Sequence, residues 1–131
     1  MYDLTTAENS YDTSKDNIII VEKGMTYPGG RTADPAGLPT DAKNIVAGHV
    51  VIEEDATKKA KLLGVTDGAF VAVPAGHTVL GAVVATVPKE KPFVAVMYTG
   101  TINEEAYKNV TGLVYTEELK EAMSLIKFIT E

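Results

Sequence analysis

Apolar residues along this chain come in short clusters divided by glycine and proline, and the period changes three times. Residues 1–16, MYDLTTAENSYDTSKD, are polar and follow neither a helical nor a strand period. Ile18-Ile19-Ile20-Val21 then forms a β-branched run, which predicts a strand near 17–23 buried on both faces. Residues 24–44 return to turn chemistry, with Pro28, Pro35, Pro39, Gly24, Gly29, Gly30 and Gly37. Long connections of this kind are uncommon inside compact domains and tend to be linkers or binding segments. The expected organisation is therefore an extended arm over 1–44 containing one strand, followed by a β-rich domain over 45–131.

Beyond residue 45 the pattern predicts strands near 48–53, 60–65, 69–73, 78–87 and 92–102. Gly68, Pro74-Ala75-Gly76 and Pro88-Lys89-Glu90-Lys91 punctuate them. Regular short strands with such turns indicate an all-β sandwich or barrel. Two short helices are predicted near 104–108 and 117–124, with Asn103 and Thr116 as N-caps. Each carries Glu-Glu in its first turn, which complements the helix dipole. Leu119, Ala122, Met123 and Ile126 fall at helical spacing and predict a core-facing stripe. Residues 125–129 predict a last strand. The fold class is thus mainly β with short α-helices.

Composition narrows the function classes. A chain of 131 residues is expected to be one domain. Its net charge is −6 and its longest cationic cluster is Lys58-Lys59-Ala60-Lys61. Neutralising phosphates needs clustered Lys and Arg, so neither nucleic acid nor a membrane is expected as a partner. The chain contains no cysteine, which removes disulfides, thiolate metal sites and cysteine nucleophiles. Its N-terminus has no basic region followed by an apolar stretch, so no signal peptide is expected. No apolar run approaches the ~20 residues of a membrane span.

The candidate chemistry is sparse. Glu104 and Glu105 follow the apolar run Phe93–Met97 and admit two readings. As an acid/base pair they would need carboxyls about 5–10 Å apart facing one bond, whereas adjacent helical residues point about 100° apart. As the first turn of a helix capped by Asn103 they need no further role. Glu53-Glu54-Asp55 has carboxylates but lacks the spacing of a calcium loop and reads as a solvated turn. His49 and His77 occur in an internal echo, Ala47-Gly48-His49-Val50-Val51 and Ala75-Gly76-His77-Thr78-Val79. Two histidines on equivalent turns can face one metal, but no third ligand stands at a recognised spacing. Ser10, Ser14 and Ser124 lie in no nucleophile elbow. Gly29-Gly30-Arg31-Thr32 lacks the spacing of a phosphate loop. No catalytic, cofactor-binding or metal-binding residues are therefore expected, and no cofactor. Tyr2, Tyr11 and Tyr27 punctuate the expected arm, and tyrosine suits interfaces because an apolar ring carries a hydrogen-bonding tip.

Three stretches resemble the lambda-type head decoration proteins of tailed bacteriophages and the related head-fibre proteins. PAGHTVLG at 74–81 is similar to the family's glycine turn. PFVAVMYTGTINEEAYKN at 92–109 resembles its long apolar strand and following helix. TEELKEAMSLIKFI at 116–129 resembles its closing helix and tail. The resemblance covers roughly residues 45–131. It implies a compact, β-tulip-like domain with an extended N-terminal arm, a homotrimer, and a place on the outer face of the virion capsid after synthesis in the bacterial cytoplasm. It also implies that the arm docks on the major capsid protein by adding a strand to it, a mode in which main-chain hydrogen bonds supply affinity. Tyr2, Leu4, Tyr11, Ile18, Ile19, Ile20, Val21 and Tyr27 would then be the capsid-binding residues. The expected function is a structural, non-enzymatic protein stabilising the expanded shell. The alternatives are the base domain of a head fibre and a small hydrolase using Glu104 or Glu105.

Overall fold

A computed structural model describes residues 13–39 and 41–130. Over these residues it is mainly β, with three short α-helices around a nearly closed, six-stranded barrel. The barrel strands are β2 (Arg31–Asp34), β4 (Val50–Glu54), β5 (Ala60–Leu62), β8 (His77–Val83), β10 (Phe93–Val94) and β11 (Val96–Met97). Their order is β10-β2-β5-β4-β8-β11. The two ends of that order are halves of one chain segment, separated only by Ala95. Phe93 and Val94 pair antiparallel with Thr32 and Arg31, while Val96 and Met97 pair antiparallel with Val83 and Ala82. A segment paired on both sides brings the two edges of the sheet together, which leaves no long open edge there.

Alternation along these strands sorts side chains between two cores. Ala33, Val51, Ala60, Leu62, Val83, Val94 and Val96, drawn from all six strands, form the barrel interior with Ile45. Ile45 lies on β3 (Asn44–Ile45), which pairs with β9 (Val87–Pro88). Val50, Ile52, Ala82 and Met97 point the other way, into a second cluster. This cluster is roofed by a three-stranded sheet of β1 (Ile20–Lys23), β12 (Gly100–Asn103) and β13 (Ile126–Ile129), with β12 in the centre. Helices α2 (Glu104–Thr111) and α3 (Glu117–Ala122) complete it. The remaining pair, β6 (Val65–Thr66) and β7 (Ala69–Phe70), is a hairpin. Its turn residues Asp67 and Gly68 both have positive φ, as a two-residue hairpin requires. It delivers Phe70 to the second cluster.

Both predicted helix starts are present. Asn103 Oδ1 accepts from the Ala106 amide at 3.2 Å and Thr116 Oγ1 from the Leu119 amide at 3.2 Å. Of the predicted stripe, Leu119, Met123 and Ile126 are buried but Ala122 is exposed, because α3 ends there and Met123 departs from helical geometry. The predicted long strand 92–102 is broken into β10, β11 and β12, and 78–87 into β8 and β9.

Residues 13–39 differ most from the expected layout. The β-branched run is not one strand buried on both faces. Residues 16–19 form a single helical turn, α1 (Asp16–Ile19), and β1 starts only at Ile20. The register to β12 then slips between Ile20 and Glu22, leaving Val21 in a bulge. Ile19 and Ile20 are consequently buried, while Ile18 and Val21 face solvent. This part of the chain holds two strands, not one, and both pair within the molecule. Between them, the Gly24 and Tyr27 amides donate to the Thr99 and Val96 carbonyls, and Met25 O accepts from the Tyr98 amide. The Asp16 carboxylate adds a tie: it accepts from the Thr86 amide at 2.9 Å and the Thr86 hydroxyl at 2.7 Å, while that hydroxyl accepts from the Ala47 amide.

Candidate functional site

Of the residues expected to bind a capsid, Tyr2, Leu4 and Tyr11 lie outside the described residues. Ile19 and Ile20 contribute their side chains to the second core cluster. Ile18 and Val21 remain open to solvent at 48% and 50% exposure, and Met25, just beyond β1, at 61%. An aliphatic or thioether group so placed gains from burial against another surface. Tyr27 is half-buried. Its ring centroid is 4.8 Å from that of Tyr98, its hydroxyl donates to Leu80 O at 3.3 Å, and the Arg31 guanidinium sits 5.1 Å from the ring centroid. Tyr98 in turn donates to Met25 Sδ at 3.8 Å. Tyr27 and Tyr98 share with Leu80, Met123 and exposed Leu125 a shallow cleft of about 190 Å³. Sequence reading missed Met25, Phe93 and Leu125 as exposed apolar residues. The only signal was Met25 standing alone in a turn-rich segment.

The two glutamates at the start of α2 have different surroundings. Glu104 Oε1 accepts from Lys120 Nζ at 2.9 Å, whereas Glu105 is exposed. The hydrogen bond to Glu104 raises the Lys120 pKa above its ordinary value. Both glutamates border a cleft of about 180 Å³ with Lys108, Val114, Tyr115 and Thr130.

The histidine echo does not bring its two rings together. β4 and β8 are antiparallel neighbours, with Val50 opposite Ala82 and Glu54 opposite His77, so the two turns lie at opposite ends of the ladder. His77 Nδ1 donates to Ala75 O at 3.0 Å, near the surface. His49 is buried, with Nε2 2.9 Å from Leu63 O. Desolvation by burial lowers its pKa to about 4. The Glu53-Glu54-Asp55 carboxylates are engaged locally: Glu54 accepts from the Thr57 hydroxyl at 2.8 Å and Asp55 from that of Thr78 at 2.7 Å. The Arg31 guanidinium donates to Gly30 O at 2.7 Å, folding back on its own turn.

An aromatic group unforeseen from sequence surrounds His49. Its ring meets Phe70 edge-on at 5.0 Å, and Phe70 stacks on Tyr107 and Tyr115 at 6.0 and 5.3 Å. The Tyr115 hydroxyl donates to Gly48 O at 2.6 Å. Burial pushes the pKa values of both tyrosines well up. These residues come from β7, α2 and the loop after it, so no local spacing announces them.

No protein-family model matches this chain, and no curated protein or solved structure is significantly similar to it.

Proposed function

We propose that this protein is a structural component of a phage head, binding the outer capsid surface as a homotrimer and stabilising the expanded shell. The N-terminal segment meets the major capsid protein. The observation that supports this reading best is the exposure of Ile18, Val21 and Met25 along a segment whose other apolar side chains, Ile19 and Ile20, anchor it in the core. A rigidly held backbone presenting apolar side chains loses little conformational entropy on docking. Three such segments on one trimer bind with avidity even where each is weak. The docking residues in this proposal are Ile18, Val21 and Met25, with Tyr27 at the edge and Tyr2, Leu4 and Tyr11 preceding them in the chain.

The test is co-sedimentation with expanded heads built from the cognate major capsid protein. Ile18→Ser, Val21→Ser and Met25→Ser combined should abolish co-sedimentation while circular dichroism and thermal melting stay close to wild type. Wild-type binding by that variant would reject the docking segment. The base of a head fibre remains the second reading within the same class, and it requires the protein to hold a fibre as well as the shell.

A further inference from the structure

The chain just beyond β7 carries an inference past the capsid reading and shares no residue with it. Val71, Ala72 and Val73 run on from β7 toward Pro74 without a turn or bend. Val71 and Val73 pack against the second core cluster, which fixes the segment, while Ala72 is exposed. Successive residues of an extended chain aim their amides and carbonyls to opposite sides. The Phe70 amide donates to Val114 O and the Val71 amide to Gly64 O, so the backbone groups of Ala72 turn to the side of Phe70 and Val114. Neither its amide nor its carbonyl has a hydrogen bond there among the described residues. The chain after Val114 has left that edge to enter α3, whose N-cap is Thr116. A cleft of about 260 Å³ opens between Val71–Val73 and the α3 side chains Glu118, Leu119 and Ala122. Glu118 is the charged residue of its lining. Glu118 and Glu121, one turn on, are both exposed, and among the described residues no cation is paired with either. Lys120 between them is bound to Glu104 at 2.9 Å.

We propose that this cleft takes an extended, basic segment of a partner protein, added as a short strand along Ala72. An unpaired amide and carbonyl on an extended edge form a template for another chain, and the added strand supplies the matching carbonyl and amide. The valines, Leu119 and Ala122 offer an aliphatic side chain a surface to bury against. The unpaired carboxylates of Glu118 and Glu121 favour Lys or Arg beside that side chain and repel an acidic segment. The same charge disfavours residues 1–12 of this chain as the occupant, since they hold Asp3, Glu8 and Asp12 and no Lys or Arg.

The test is an amide-shift titration of the isotope-labelled full chain at low salt with two end-capped peptides, Lys-Val-Thr-Val-Lys and Glu-Val-Thr-Val-Glu. The expected result is shifts concentrated at residues 71–73 and 117–122, with the lysine peptide bound about fivefold more tightly. Glu118→Gln combined with Glu121→Gln should bring the two peptides together in affinity. Ala72→Pro, which removes the amide donor from an exposed extended position, should weaken the lysine peptide about fivefold, the worth of one hydrogen bond. Equal binding of the two peptides, a preference that survives the double glutamine variant, wild-type affinity in Ala72→Pro, or no shifts at millimolar peptide would each overturn the proposal.

Discussion

Gly48 and Gly76 occupy the same place in the sequence echo but not in the fold. Both have positive φ, which a side chain rarely adopts. A Cβ at Gly76 meets nothing within 4 Å, whereas at Gly48 it approaches Tyr107 Cδ1 and the Tyr115 hydroxyl to 2.9 Å. Gly76→Ala should therefore cost about 1 kcal/mol, the backbone term alone. Gly48→Ala should cost about 3 kcal/mol, because overpacking adds to it. Urea denaturation of the two variants checks the difference, and equal losses would mean that the aromatic group does not press on Gly48. His49 carries a pH dependence of definite sign. Its folded pKa of about 4 lies below the ordinary 6.5. The unfolded chain therefore takes up a proton that the folded chain refuses, and stability falls as pH drops from about 6.5 toward 4, by up to about 3 kcal/mol. His49→Gln should flatten that part of the wild-type profile. Parallel profiles in the two proteins would place the acid sensitivity elsewhere.

At the scale of elements, local chemistry was readable and pairing was not. Asn103 and Thr116 announced the two helix starts because a cap is a matter of adjacent residues. Asn103→Ala should accordingly cost about 1 kcal/mol in a thermal or urea melt. The run Ile18–Val21 misled for the opposite reason. Its composition favours a strand, but the tie from Asp16 to Thr86 and the bulge opposite β12 turn successive side chains to faces that no period of two predicts. The consequence is measurable residue by residue. Ile19→Ala should destabilise by about 2–4 kcal/mol as a core truncation, while Val21→Ser should stay within about 0.5 kcal/mol. Similar costs at both positions would contradict the turn-and-bulge geometry of this segment.

For the whole molecule, strand pairing depends on partners far apart in sequence. Ile20 pairs with Ile102, and Arg31 with Val94. Read alone, the proline- and glycine-rich stretch between those strands looks like a linker, because its hydrogen-bond partners are Val96, Tyr98 and Thr99, far along the chain. The β-rich class was legible from the spacing of apolar clusters and turns. The closure through Ala95, the two cores and the aromatic group around His49 were not, since each joins side chains from distant elements. Mass analysis by light scattering on a size-exclusion column is the most direct measurement of the proposed assembly. The chain has a mass of 14.0 kDa, and the proposal predicts a single species of roughly three times that mass. A monomer at the same concentration would contradict the preformed homotrimer on which the three-fold docking argument rests.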